Sequence, residues 1–257
     1  LIAAFQFLTR IPLPVQIDYT PDVFRRSTVF FPLAGMAVSL IVAAAAAILS
    51  QMLPPFAAAA ALLIVWVAAT GALHLDGLMD TADGILSHRP REQMLEIMKD
   101  SRVGAFGVIV CVLYLLLKCA MLQAFMILGE TVMPAFVPVW SRWFMVAAIA
   151  YWPYARPNSG LGGLFRGVGR MQFAQATATA LAASVLLAIL AAFFSDSRSL
   201  LFYVGAALFL AAPAALLGWW AARRMNRKLG GLTGDTYGAL NELIELALLV
   251  ILWRMIA

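Results

Sequence analysis

Apolar residues recur along the chain in seven long runs, each close to the length that a helix needs to cross a membrane. About 20 residues of α-helix span the roughly 30 Å of hydrocarbon in a bilayer. The pattern therefore predicts an all-α, polytopic integral membrane bundle of about seven transmembrane helices. The runs cover residues 30–50, 56–73, 104–128, 132–151, 174–194, 200–222 and 236–256.

Prolines and one short run modify this pattern. The opening run, Leu1–Leu8, is too short to span, and we interpret it as an interfacial or re-entrant helix that ends before Pro12. No repeat, low-complexity linker or soluble stretch separates the runs, so residues 1–257 are predicted to form one transmembrane domain. Four prolines fall inside the runs, where we expect helix kinks: Pro32, Pro134, Pro138 and Pro213.

Basic residues are concentrated in alternate segments between the runs. Four segments hold 14 of the 18 lysines and arginines: the one before the first run, and those between runs two and three, four and five, and six and seven. Because cytoplasmic loops carry an excess of Lys and Arg, the N-terminus is predicted to be cytoplasmic and the C-terminus outside. The net charge of +5 is then a topology signal, and no nucleic-acid partner is expected.

The densest polar cluster, His74–Gly84, follows the second run. On a helix, Asp76, Asp80 and Asp83 share one face. Carboxylates this close repel one another unless a cation lies among them, and hard oxygen ligands suit Mg²⁺. The alternative is a solvated helix end with capping acids. His74 falls on the opposite face, which favours a positioning role over metal ligation.

A second cluster, Lys99–Gly107, leads into the third run. Asp100 or Ser101 could simply cap that helix. Alternatively, Arg102 and the helix N-terminus together form an anion site, because the guanidinium and the free N–H groups face one place.

A third cluster is the glycine-rich turn Gly230–Thr236, which opens the last run. Backbone N–H groups in such a turn can approach phosphate, although glycines also occur in any sharp loop. Glu242 and Glu245 follow inside the run. A carboxylate within a membrane span is energetically costly, so its presence indicates a functional role.

Arginine supplies 15 of the 18 basic residues, and several arginines lie beside glycines in the loop that contains Arg156 and residues 160–170. Arginine binds phosphate through bidentate hydrogen bonds. The positive-inside rule alone explains the location of the charges but not the preference for arginine over lysine. Acids for Mg²⁺ and arginines for phosphate together favour transfer chemistry on a diphosphate-bearing substrate at the membrane surface.

Motifs spread over most of the chain carry a family resemblance. They are Phe7–Pro12, His74–Gly84, Ile97–Gly107, Ser141 with Arg142, Pro153–Arg156, Gly230–Asp235, Gly238, Glu242 and Glu245. Their order and spacing resemble the cobalamin synthase family, the adenosylcobinamide-GDP ribazoletransferases.

The resemblance implies a Mg²⁺-dependent catalytic domain in the bacterial inner membrane, with its active site facing the cytoplasm. Such an enzyme joins adenosylcobinamide-GDP to α-ribazole or its 5′-phosphate and releases GMP. Its partners would be these small molecules and the lipid bilayer, and homo-oligomerisation stays open.

The resemblance also suggests roles for individual residues. Asp76, Asp80 and Asp83 would hold the metal. Asp83, Asp235 and His74 would form the catalytic set, with Asp83 or Asp235 taking a proton from the attacking hydroxyl. Substrate contacts are expected from Arg10, Lys99, Arg102, Arg142, Arg156, Thr233 and Glu242.

Two other classes of protein compete with this interpretation. The segment Asp80–Gly84 begins like the motif of CDP-alcohol phosphotransferases, but Ser87 and His88 stand where Ala-Arg is expected, and Ala239 replaces a required Asp. An ion-coupled transporter would place its acids near the membrane midplane with access from both sides. Here the polar clusters crowd one face.

Two charges lie at matching depth in different runs. Arg142 in the fourth run and Glu245 in the seventh each lie about nine residues from the same surface, or about 13 Å. Because an isolated charge at that depth is costly, we hypothesise that the two side chains pair across the bundle. In the alternative, Arg142 reaches substrate phosphate and Glu245 is protonated.

Overall fold

The computed structural model describes residues 1–156, 164, 165, 167–195 and 197–257. The rest of the arginine-containing loop, including Arg166, lies outside these described residues. The described residues form twelve α-helices and two short 3₁₀ turns, at Thr28–Phe30 and Met133–Phe136. The helices are α1 (Ile2–Leu8), α2 (Pro21–Ser27), α3 (Phe31–Met52), α4 (Pro55–Thr70), α5 (Leu73–Leu86), α6 (Arg91–Ile97), α7 (Ala105–Leu128), α8 (Val137–Tyr151), α9 (Arg170–Phe194), α10 (Leu200–Phe209), α11 (Ala211–Leu229) and α12 (Gly234–Ile256).

All seven predicted runs coincide with helices, which confirms an all-α polytopic membrane protein. Within the described residues, length and apolarity identify five spanning segments, and up to six when α4 and α5, which are bent by 90°, count as one span. The last run, α12, is not among the five. The five segments are Pro21–Met52, Ala105–Leu128, Met133–Tyr151, Arg170–Phe194 and Leu200–Leu229.

The prolines begin helices more often than they bend them. Pro32 and Pro138 are each the second residue of a helix. N–H groups in the first helical turn have no partner within the helix, so a proline there removes no hydrogen bond. The kinks predicted at these two prolines are therefore wrong. Pro134 lies in a 3₁₀ turn, and Pro213 follows the junction between α10 and α11 at Leu210. The short first helix is confirmed as α1.

The centre of the bundle is formed by α8 and α12. The segment that contains α8 is 94% buried, and α12 packs against α5, α7, α8 and α11. The surrounding spans α3, α7, α9 and α10–α11 bury only about a third of their residues and turn apolar side chains outward. Any polar side chain on α12 that faces its neighbours is therefore inside the protein.

A sharp bend of 90° separates α4 from α5, the helix that carries the acids. Gly71 and Ala72 both adopt left-handed backbone angles, with φ of 62° and 58°. Arg10 fixes this bend: its backbone N–H donates to the carbonyl of Ala69 at 2.8 Å, and its side chain lies where a Cβ on Gly71 would be. The bend directs α5 against α12 and α7.

Candidate active site

The acidic face of α5 meets the start of α12 through a close crossing of glycines. A Cβ on Gly77 would lie 2.6 Å from the carbonyl oxygen of Asp235, and one on Gly238 would lie 3.1 Å from the Cα of His74. Only glycine allows the two backbones to approach this closely. The crossing places Asp80 within electrostatic range of Asp235, although the two are far apart in sequence.

A backbone pairing brings the arginine loop to the same place. The N–H of Ala155 donates to the carbonyl of Leu232, and the N–H of Leu232 donates to the carbonyl of Pro153, both at 2.8 Å. Gly231 makes the pairing possible, because a Cβ there would lie 2.6 Å from the nitrogen of Ala155. Arg156, the next residue, is thereby held beside the first turn of α12.

Arg156 is the arginine that the structure brings to the acids. Its Nη1 donates to Oδ2 of Asp235 at 3.2 Å, and its Nη2 donates to the carbonyl of Leu95 at 3.0 Å. Its buried Nε has no hydrogen-bond partner within the described residues. Arg156 is therefore fixed in position and keeps a donor for an anionic ligand.

Negative charge accumulates around Asp80, which is half-buried. Asp76, Asp235 and Asp83 repel the charged form of this carboxylate, whereas Arg156 attracts it. A bound cation would relieve that repulsion.

The acidic side chains of α5 meet the requirements of a Mg²⁺ site only in part. Among the residues that the structure describes, no three His, Cys, Asp or Glu side chains are grouped closely enough to hold a metal ion. However, Mg²⁺ usually takes one or two carboxylates and completes its shell with water and substrate phosphate. Asp76, which is exposed, and Asp80 match that requirement.

Asp83 has a different role from the one expected. Its Oδ2 accepts from the N–H of Gly104 and its Oδ1 from the N–H of Gly107, both at 2.8 Å. The carboxylate thus caps the N-terminus of α7 from a neighbouring helix, and the residue is 8% exposed. Both oxygens of Asp83 therefore hold backbone N–H groups, and its assignments as metal ligand and proton acceptor stay predictions.

At the start of α7 the backbone N–H groups bind the carboxylate of Asp83, and the guanidinium of Arg102 is not part of this contact. Neither Asp100 nor Ser101 caps that helix, which begins after Gly104. Instead Asp100 accepts from the backbone N–H of Arg102 at 3.0 Å and from its guanidinium at 2.6 to 3.1 Å. These bonds lower the pKa of Asp100 to about 2.

Two residues predicted to contact substrate lie on the surface of the loop between α6 and α7. Lys99 is exposed, and the side chain of Arg102 is 88% exposed in its pair with Asp100. The structure does not bring either to the acids of α5, so their contacts with substrate stay predictions. Arg10 packs on the bend that leads into α5, and its contact with substrate likewise stays a prediction.

The first turn of α12 is closed by two threonines. Oγ1 of Thr233 accepts from the N–H of Thr236 at 3.2 Å, and Oγ1 of Thr236 accepts from the N–H of Thr233 at 2.8 Å. The Thr233 hydroxyl also donates to Asp235 at 3.3 Å. Thr233 is fully buried and orients Asp235, and its assignment as a substrate contact stays a prediction.

The hypothesised pair of Arg142 and Glu245 is confirmed. Nη1 of Arg142 donates to Oε1 of Glu245, and both side chains are 0% exposed. Lys118 of α7 donates to the other oxygen of Glu245 at 2.5 Å. The carboxylate therefore lies between two cations in the interior, and a contact of Arg142 with substrate phosphate stays a prediction.

Glu242 belongs to the same buried network. Its Oε2 accepts from the hydroxyl of Tyr114 and from Nζ of Lys118, the latter at 3.3 Å. Glu242 is 6% exposed, and its assignment as a substrate contact stays a prediction. Sequence analysis missed Tyr114 and Lys118. Their spacing of four residues in one apolar run was the available signal, because it places both on one helix face.

His74 lies between this network and a small cavity. It is 1% exposed, and neither ring nitrogen has a hydrogen-bond partner within the described part of the chain. Asp76 and Asp235 also line the cavity, which encloses about 80 Å³. The structure therefore brings His74 to the same place as two of the predicted acids.

Comparisons with known proteins identify the family. The model of the family described as cobalamin-5-phosphate synthase matches residues 1–253. A protein named adenosylcobinamide-GDP ribazoletransferase from Pseudomonas aeruginosa strain PAO1 is 41% identical, over 98% of this chain and 96% of its own length. Proteins of the same name from Desulfitobacterium hafniense strain Y51 and Brevibacillus brevis strain 47 are 40% and 34% identical, over 96% and 97% of this chain and 93% and 95% of their own lengths. No solved structure gives a significant match. The chain belongs to the cobalamin-5-phosphate synthase family.

Proposed function

We propose that this chain is an adenosylcobinamide-GDP ribazoletransferase that works where α5 crosses α12. It joins adenosylcobinamide-GDP to α-ribazole or α-ribazole 5′-phosphate and releases GMP. The shared name of its relatives supports the reaction. The observation that carries the site is the Arg156–Asp235 pair beside Asp76 and Asp80, which sets a phosphate-binding cation against clustered carboxylates.

Magnesium is part of this proposal. Asp76 and Asp80 would hold it, since their oxygens are not bonded to backbone N–H groups as those of Asp83 are. When bound, Mg²⁺ neutralises charge on the diphosphate and on the departing GMP.

The residues of the chain would divide the remaining work. Arg156 binds a phosphate oxygen through its unpaired Nε while its other nitrogens stay anchored. The ribazole 3′-hydroxyl attacks the phosphorus next to cobinamide, a new P–O bond forms, and the bond to the bridging oxygen breaks with its electrons leaving on GMP. Asp235 takes the hydroxyl proton at its carboxylate, oriented by Thr233.

We also propose that the site faces the cytoplasm of a bacterial inner membrane. Arg156 and the acids of α5 belong to segments on the side that the arginine and lysine bias predicts to be cytoplasmic.

Purified protein in detergent tests the proposal. With adenosylcobinamide-GDP, α-ribazole and Mg²⁺, we expect stoichiometric release of GMP and formation of adenosylcobalamin, and no GMP when α-ribazole or Mg²⁺ is left out. GMP release at the same rate without α-ribazole would indicate a hydrolase. CMP release from a CDP-alcohol would favour the competing phosphotransferase class.

A further inference from the structure

Arg91, the first residue of α6, places its guanidinium group against the glycine-rich turn that precedes α12. A Cβ on Gly230 would lie 2.5 Å from Cζ of Arg91 and 2.6 Å from its Nη1. Gly230 has a φ of 65°, in the left-handed region, and it carries no side chain that would keep the guanidinium away. The guanidinium therefore lies directly on the backbone of the turn that leads to Asp235.

An apolar cluster fixes α6 beside this turn. Met94 and Met98 pack with Leu229, the last residue of α11, and all three side chains are buried. Arg91 lies one helical turn before Met94, so the packing of α6 also determines the position of its backbone. The side chain of Arg91 itself is exposed.

Two independent contacts place Arg91 close to Arg156. On α6, Arg156 donates to the carbonyl of Leu95 at 3.0 Å, and Leu95 lies four residues, or about 6 Å, from Arg91. Across the turn, a Cβ on Gly231 would lie 2.6 Å from the nitrogen of Ala155. Gly231 follows the glycine that Arg91 covers, and Ala155 precedes Arg156. The two arginines therefore lie on adjoining parts of one surface.

The charge of Arg91 is not neutralised by a carboxylate of the protein. Among the described residues, no acid forms an ion pair with Arg91, including Glu92 and Glu96 of the same helix, which are exposed. A cation at the start of a helix is also unfavourable for that helix, so Arg91 does not stabilise α6. Its guanidinium is available for bidentate hydrogen bonds to an anion.

We propose that Arg91 binds the phosphate that leaves with GMP. This inference rests on the function proposed above and adds a second phosphate-binding residue to it. A diphosphate presents two adjacent phosphates, and the anchored Arg156 offers them only its unpaired Nε. Arg91 supplies a complete guanidinium for the other phosphate.

The position of Asp235 determines which phosphate Arg91 binds. In an in-line displacement, the attacking and leaving oxygens lie on opposite sides of the phosphorus. Arg156 bridges Asp235, which takes the proton of the attacking hydroxyl, to α6, which begins with Arg91. The leaving phosphate is therefore on the side of α6. As the bond to the bridging oxygen breaks and its electrons leave on GMP, the N–H groups of Arg91 donate to that phosphate.

Binding of GMP and of guanosine to the full chain in detergent tests the assignment without turnover. We measure both Kd values by equilibrium dialysis for wild type, Arg91→Gln and the control Arg89→Gln, an equally exposed arginine two residues earlier. We expect Arg91→Gln to weaken GMP binding about tenfold, equivalent to about 1.4 kcal/mol, and to leave guanosine binding unchanged, because guanosine has no phosphate. Arg89→Gln should change neither Kd.

Two results would overturn the proposal. Guanosine binding that weakens as much as GMP binding would show that Arg91 supports the fold and does not bind the phosphate. Equal weakening of GMP binding by Arg89→Gln would show a general effect of positive charge in this loop.

The ratio of the two affinities is compared within each protein, so a partly unfolded preparation does not imitate the expected result. Arg91→Lys provides a milder second variant, because it keeps the charge but loses the bidentate geometry. Its ratio should fall between those of wild type and Arg91→Gln. A ratio in Arg91→Lys and Arg91→Gln equal to that of wild type would contradict a contact with phosphate.

Failure of this inference and failure of the proposed function are distinguishable. An enzyme that forms adenosylcobalamin but whose GMP affinity is unchanged by Arg91→Gln contradicts only the role of Arg91. A protein that loses GMP affinity on Arg91→Gln but releases no GMP from adenosylcobinamide-GDP contradicts only the function.

Discussion

Arg142 of α8 and Glu245 of α12 form an ion pair in which neither side chain is exposed. Lys118 of α7 contacts the same carboxylate from the other side, and Glu242 completes a network of two cations and two acids. Charges buried this deeply are tolerated only when they are paired. The network thus ties together three helices at the centre of the bundle, next to His74.

A double-mutant cycle tests the coupling of Arg142 and Glu245. We expect Arg142→Met and Glu245→Gln each to destabilise the detergent-solubilised protein by about 3–5 kcal/mol, because each leaves the buried network with one uncompensated charge. The double variant should cost less than the sum of the two. Strictly additive losses in unfolding free energy would show that the two side chains do not interact.

Asp83 and Asp80 should respond differently to the same substitution. Asp83→Asn sets an amide N–H₂ against the N–H of Gly104 or Gly107, so we expect a loss of about 1–3 kcal/mol in thermal or denaturant unfolding. Asp80→Asn removes a carboxylate that its neighbours repel, so stability should be kept or slightly raised. Equal destabilisation by the two substitutions would argue against the capping role of Asp83.

The close crossing of α5 and α12 depends on Gly77. Gly77→Ala places a methyl group 2.6 Å from the carbonyl oxygen of Asp235, so we expect a loss of about 1–3 kcal/mol in stability and slower turnover as Asp235 moves. Gly205→Ala is the matched control, since it has nothing within 4 Å and lies in α10. If Gly77→Ala behaves like Gly205→Ala, the helices do not cross as described.

Sequence alone predicted the features that depend on distance along one helix. The helical runs follow from apolar composition, and the pairing of Arg142 with Glu245 follows from depth, because each residue adds a fixed rise. The bend at Gly71 was not predicted, since left-handed angles at Gly71 and Ala72 depend on the packing of Arg10.

Features that depend on how two helices are rotated against each other were beyond sequence analysis. Asp83 was placed correctly on the acidic face, but its partners lie 21 and 24 residues away on α7. Lys118 reaches Glu245 across 127 residues, and Arg156 reaches Asp235 across 79. Only the packing of α5, α7 and α12 decides which of these acids meets a cation and which meets backbone.

The proposed orientation in the membrane is testable by labelling. In a chain whose two half-buried cysteines, Cys111 and Cys119, are replaced by alanine, a cysteine is introduced at Ser87 or Ser197. A thiol reagent that cannot cross the membrane should reach Ser87→Cys from the cytoplasm only and Ser197→Cys from outside only. Labelling of Ser87→Cys from outside would place the acids in the wrong compartment. Gly160, a further labelling position that the charge pattern predicts to be cytoplasmic, lies outside the described residues.

In the proposed reaction, the acids beside Arg156 carry the chemistry. The most direct test is the rate of GMP release from adenosylcobinamide-GDP with saturating α-ribazole and Mg²⁺, compared for wild type, Asp80→Asn and Asp18→Asn, an exposed acid in the N-terminal segment. We predict that Asp80→Asn lowers the rate by about 100-fold or more while the folded fraction stays the same, and that Asp18→Asn matches wild type. Near wild-type turnover by a folded Asp80→Asn would contradict the account.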